Sequence, residues 1–268
     1  MRYLGIDFSG GAAPWKARCS RPTVWIATLE GRLLRDVRPV QALEGEGEPF
    51  GRLIGLLAAG DYRAAGIDAP FSIPAAWLPH EGHDDLLRRV RDLPPAPDRP
   101  FPRGSDLLDL ASAQGDVDTP KPLRETEARW RKRGINVRSS LWNGPRGGAP
   151  FAAASLSLLA RVSRPLWPWR RGEGMIAEVF PAAQLFTWKA PHLGYGAAED
   201  EAVRRVILQR LSERIDIPDP LGSILLGSAD ALDAVIACLG ARGADLERQA
   251  DPPPSRFPVD GWISVEAG

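Results

Sequence analysis

Apolar and polar positions along the chain alternate in two distinct rhythms. Residues 3–8 (YLGIDF) read as a short apolar strand carrying Asp7 at its end, and residues 23–29 (TVWIATL) are β-branched and aromatic. Residues 32–40 set Leu34 and Val37 among alternating charges, and Glu30-Gly31 supplies the tight turn of a hairpin between the second and third runs. Residues 49–59 then carry Phe50, Leu53, Ile54 and Leu57 at helical spacing and stop at Gly60, a suitable C-terminal cap. Residues 64–69 (AAGIDA) form the next strand, closed by Pro70. The predicted order is strand, strand, strand, helix, strand.

From about 75 to 174 the pattern loosens into a Pro- and Gly-rich stretch with two clear helical pieces, 125–133 and 152–162. This reads as a long lobe inserted between the fourth and fifth strands of one domain spanning 1–268. The main pattern resumes with a buried strand at 175–179 (MIAEV), giving five strands in all. An amphipathic helix at 199–215 and a small, apolar helix at 229–241 follow, and 261–265 can add a short closing strand.

Composition narrows the class. With 44% hydrophobic and 25% charged residues the chain is globular, and its 26 Pro and 27 Gly account for the long connections. Two distant cysteines, Cys19 and Cys238, exclude a disulfide framework and a zinc ribbon. No signal-like apolar stretch precedes the charges near the N-terminus, and no run approaches the roughly 20 apolar residues of a membrane span. The expectation is a soluble, cytoplasmic protein without a membrane partner.

Four carboxylates lie in apolar surroundings: Asp7 and Asp68 at strand ends, Glu178 inside a strand, and Asp233 inside the last helix. Such groups are costly to desolvate unless something pairs with them. If the first and fourth strands are parallel neighbours, about 4.8 Å apart, Asp7 and Asp68 project from one sheet edge toward a shared cation. Oxygen-only ligation selects Mg²⁺ or Mn²⁺, ions that activate water and stabilise a leaving oxygen in phosphodiester hydrolysis. Each acid also has a structural use. Asp7 can open the turn Phe8-Ser9-Gly10-Gly11, Asp68 can form an Asx-turn before Pro70, and Asp230 with Asp233 can form a helix cap and its reciprocal acid. Zinc, nucleophile-elbow and phosphate-loop motifs are absent: His80 and His83 give H-x-x-H without the H-E-x-x-H spacing of a zincin, and His192 stands alone.

The formal net charge is zero, 34 basic against 34 acidic residues, which excludes a uniformly basic surface. The charges are unevenly placed. Residues 121–171 hold twelve basic side chains (Lys121, Arg124, Arg129, Arg131, Lys132, Arg133, Arg138, Arg146, Arg161, Arg164, Arg170 and Arg171) against Glu125 and Glu127, a +10 segment balanced by a −10 remainder. Trp130, Trp142, Phe151, Trp167 and Trp169 are interleaved with them. Basic groups that neutralise phosphates beside aromatics that stack on bases suit nucleic acid, with Arg124, Arg129, Trp130, Arg131, Lys132, Arg133, Arg138 and Trp142 as contacts. The bland alternative is that the aromatics fill the lobe's own core while the arginines pair with acids elsewhere.

Several blocks together resemble a known family: GIDFS at 5–9, GIDAPFSIP at 66–74, AEVFPAA at 177–183, SADALDA at 228–234 and GWI at 261–263. They are similar to the predicted nucleases of the RNase H fold catalogued as domain of unknown function 429, across nearly the whole chain. The resemblance implies an α/β RNase H-like core, a mixed five-stranded sheet flanked by helices, with the insertion between strands four and five. It further implies metal-binding carboxylates at Asp7, Asp68, Glu178 and Asp233 with Asp230 nearby, Asp7 bridging the Mg²⁺ or Mn²⁺ ions. Asp230 and Asp233 stand about 300° apart around a helix, so only one faces Asp7; Asp233 is favoured, because Asp230 is the better cap. The expected activity is divalent-metal-dependent phosphodiester hydrolysis of nucleic acid. The alternative is a nucleic-acid or nucleotide-binding protein of the same fold without turnover. A phosphate-transfer enzyme of the acetate-kinase and actin group ranks below both, because those proteins duplicate the core and this chain has one copy.

Overall fold

A computed structural model describes residues 1–117, 121–144, 147–250 and 257–268. The first three predicted strands are β1 (Arg2–Asp7), β2 (Trp25–Glu30) and β3 (Leu33–Pro39), and α1 (Pro49–Ala59) runs to Gly60, whose left-handed φ of 71° closes the helix as the sequence implies. After β4 (Ala64–Asp68), the Pro- and Gly-rich stretch contains α2 (His83–Asp92), α3 (Gly104–Ser112), α4 (Glu125–Lys132) and α5 (Ala149–Leu159). Next come β5 (Leu166–Trp167), β6 (Met175–Glu178), α6 (Pro181–Thr187), α7 (Glu201–Ser212), α8 (Asp219–Gly227) and α9 (Ala229–Gln249).

The sheet order is β3-β2-β1-β4-β6-β5, antiparallel from β3 to β1 and parallel from β1 to β5. It therefore has six strands among the described residues, not five. The additional strand, β5, is two residues long and sits between Pro165 and Pro168, too short to show a period of two. Conversely, the expected closing strand at 261–265 is a single bridge, Ser264 to Val179. α2 and α3 escaped the sequence reading because prolines crowd their flanks, although each buries an apolar face of its own: Leu86 and Val90 from α2 and Leu107 and Ala111 from α3 meet Ala152 and Leu156 of α5.

The pleat sends alternate residues to two cores. Leu4, Ile6, Ile67 and Ile176 face α1 and the second half of α5. Tyr3, Ala64 and Ala177 face α7, α8 and α9. Gly5 and Gly66 share this second face, and their missing side chains let α9 lie directly on the sheet. A Cβ at Gly5 would stand 2.0 Å from the Ala234 carbonyl oxygen and 2.4 Å from the Cys238 nitrogen, and one at Gly66 would stand 2.4 Å from the Ala237 carbonyl oxygen. Backbone cannot yield at such distances, so Gly5→Ala must lift α9. The variant is expected to lose about 1–3 kcal/mol of stability in urea unfolding; an unchanged midpoint would show that α9 does not rest on β1 in this way.

Among the described residues no single helix is long and apolar enough to cross a membrane. Both cysteines are free, Cys238 buried in α9 and Cys19 partly exposed.

Candidate active site

Asp7 and Asp68 are the last residues of β1 and β4 and are directly paired in the parallel register. By the pleat they share the face of Gly5 and Gly66, the face on which α9 lies. The close glycine contact sets the height of α9, and that height brings its first two turns, with Asp230 and Asp233, over the strand ends. Burial first, and then the charges of Asp233, Asp68 and Asp230, hold the Asp7 carboxyl well above the usual range. Asp68 is raised likewise by burial, followed by Asp233 and Glu178. Asp233 is pushed up to about 7 by burial, against the Tyr195 hydroxyl, which donates to its Oδ1 at 2.9 Å. Asp230 is raised by burial alone.

Asp7, Asp68, Glu178 and Asp230 line a cavity of about 470 Å³, together with Ser9, Arg124, Glu127, Asn136, Arg138, Gly147, Gly148 and Phe151. The structure brings Asp7, Asp68, Asp230 and Asp233 together, and a residue other than Asp230 caps α9. Ser228, whose Oγ accepts from the Ala231 N–H at 3.1 Å, caps α9, leaving Asp230 free of that duty. Tyr195 carried no signal; it sits in a Gly-flanked loop of no recognisable motif, and only the fold brings it to Asp233.

Glu178 lines the same cavity, and its carboxylate is engaged there by Arg124. It lies one residue past Ala177, so the pleat turns it to the opposite face from α9. There the Arg124 guanidinium donates to both its oxygens, at 2.5 and 2.7 Å, and the Phe71 N–H donates at 2.9 Å. Arg124 also donates through Nε to Glu127 at 2.9 Å and is buried to 1% exposure. Arg124 is therefore the internal counter-ion of Glu178 and Glu127, and all three stand at the cavity wall.

The basic segment divides. Trp130, expected to stack on bases, is 4% exposed and packs with Ile135, Val137, Ala183 and Ile263. Trp167 is wholly buried. Arg129 lies over the Trp262 ring and Arg133 over Trp130, while Arg131 donates to the Val137 carbonyl. Arg129, Arg131, Lys132 and Arg133 are exposed on and just after α4, Trp142 is 43% exposed, and Arg138 lines the cavity with Arg124. Arg146 lies outside the described residues.

The family model described as protein of unknown function (DUF429) matches residues 5–256. The chain belongs to that family. No curated protein and no solved structure matches it. The DUF429 match runs from the GIDFS block through α9 and so takes in all four aspartates of the cluster.

A divalent cation suits the donors of this DUF429 site in chemistry: the aspartates offer only oxygens, and burial followed by mutual repulsion raises their carboxyls, a cost that a cation relieves. The ligand set is not closed, however. Among the described residues no three His, Cys, Asp or Glu side chains are already arranged to hold a metal ion, so binding requires the carboxylates to turn toward one another.

Proposed function

We propose that the protein is a divalent-metal-dependent nuclease of RNase H-like fold. The observation that carries this reading is the registered pair Asp7 and Asp68, facing a cavity under Asp230 and Asp233. An antiparallel three-strand unit followed by a helix and strands parallel to β1 supports the fold assignment. Asp7, Asp68 and, by rotation of their side chains, Asp230 and Asp233 would hold Mg²⁺ or Mn²⁺, which when bound supplies an activated water and charge for the leaving oxygen.

The chain's own residues do the rest. Tyr195 fixes one oxygen of Asp233 and so orients the other. Arg138 and Asn136, which line the cavity with Gly147 and Gly148, would meet a phosphate of the bound strand. Glu178 and Arg124 anchor β6 to α4 and thereby the wall on which Arg138 stands.

Labelled single-stranded and structured DNA and RNA should be cut in the presence of Mn²⁺ or Mg²⁺ and left intact with chelator. Cutting that persists in chelator, or none with either ion on any substrate, removes the nuclease reading. Salt-sensitive binding without cutting identifies instead a non-catalytic nucleic-acid-binding protein.

A further inference from the structure

A second basic surface lies away from the aspartates. Arg88 and Arg91 of α2, Arg164 before β5, and Arg170 and Arg171 after it line a groove of about 610 Å³ whose one acidic side chain is Asp84. Most of these charges are not internally neutralised. Arg170 pairs with Asp84, and Arg88 with Glu81 and Asp85. Arg164 donates to the Glu173 and Gly174 carbonyls, Arg171 lies over the Trp167 ring, and neither they nor Arg91 pairs with a carboxylate among the described residues. Arg161 stands beside the groove with its pKa lowered by burial and then by the charge of Arg91, so like charges crowd at this edge. Evolving or retaining such crowding costs stability unless an anion offsets it.

The groove is tied to the acidic cavity by α5. Phe151 near the start of that helix lines the cavity, and Leu159 at its end lines the groove. Eight residues of helix separate them by about 12 Å along its axis, a span that a few nucleotides of a single strand cover.

We propose that the groove lined by Arg88, Arg91, Arg164, Arg170 and Arg171 holds the phosphate backbone of a nucleic-acid strand whose neighbouring segment lies in the aspartate cavity. The proposal rests on the nucleic-acid reading above and assigns it a surface other than the α4 face that the sequence suggests. Guanidinium forks suit phosphate oxygens, and an apolar floor keeps water from competing for them.

The test is binding of a labelled twelve-nucleotide single strand, in chelator so that no cutting intervenes, by the wild type and by the triple variant Arg91→Gln, Arg170→Gln, Arg171→Gln. All three side chains are exposed, so the variant is expected to keep the wild-type circular dichroism and melting temperature; Arg91→Glu alone is the second variant. Affinity should fall on the order of a hundredfold at 0.1 M salt, with the slope of log K against log salt smaller by about 2, about 0.7 for each phosphate released. A dinucleotide, too short to span both sites, should bind both proteins alike. Unchanged affinity and slope in a folded variant overturn the groove while leaving the nuclease reading intact. A groove-dependent slope in a protein that never cuts upholds the groove and removes catalysis. Failure of the wild type to bind any strand removes both.

Discussion

Asp7→Asn is expected to abolish metal-dependent cleavage, by about a hundred- to a thousandfold, and at the same time to raise the melting temperature of the metal-free protein. The two effects share one cause. Asp7 is 9% exposed, with Asp233, Asp68 and Asp230 close enough for each to raise its pKa. A carboxyl whose folded pKa exceeds its unfolded value binds more protons in the folded state. Its stabilising contribution therefore grows as pH falls, and above the folded pKa the native protein carries the full cost of the buried charge. Asparagine keeps the shape and removes the charge, so the variant should gain about 1–3 kcal/mol at pH 8 in chelator, several degrees in melting temperature. The gain should shrink as the pH is lowered through the raised titration range of the wild-type carboxyl. Mn²⁺ should stabilise the wild type and not the variant. A variant no more stable than wild type at pH 8 would show that the acids do not repel one another as the geometry requires.

Arg124→Ala is expected to have the largest effect on folding, because it leaves Glu178 and Glu127 buried with no counter-ion. The loss should be about 3–5 kcal/mol, the range for breaking a buried pair from one side, read as a lower urea midpoint. Arg124→Lys should recover only part of it. One ammonium cannot reproduce the fork that engages both oxygens of Glu178 while Nε holds Glu127. Replacing all three groups by neutral residues of similar size should recover more than lysine does, since no charge is then left stranded. If Arg124 instead served as a phosphate contact, Arg124→Ala would weaken nucleic-acid binding and leave the midpoint in place.

These two substitutions also separate what was legible along the chain from what was not. Strand β1, the β2–β3 hairpin, α1 with Gly60, β4, β6 and α9 follow from local rhythm and turn chemistry, and the positions of Asp7 and Asp68 at strand ends follow with them. The reading failed where a long-range partner decides the outcome. Trp130 and Arg124 look like a nucleic-acid surface in a segment of net charge +10, yet one completes a small core with α6 and the C-terminal segment, and the other answers a glutamate 54 residues away. β5 and the helices α2 and α3 exist because neighbours cover them, not because their own residues announce them.

By itself the sequence determined the type of the main elements and the apolar surroundings of Asp7, Asp68, Glu178 and Asp233, because each depends on residues close along the chain. Only the tertiary structure decided which face each acid takes. The alternation in MIAE requires Ala177 and Glu178 to face opposite ways, but only the register with β4 and the resting of α9 on Gly5 and Gly66 decide that Ala177 meets α9. For that reason Asp230 and Asp233 join Asp7 and Asp68 under α9, while Glu178 reaches the same cavity from the other face of the sheet, held by Arg124.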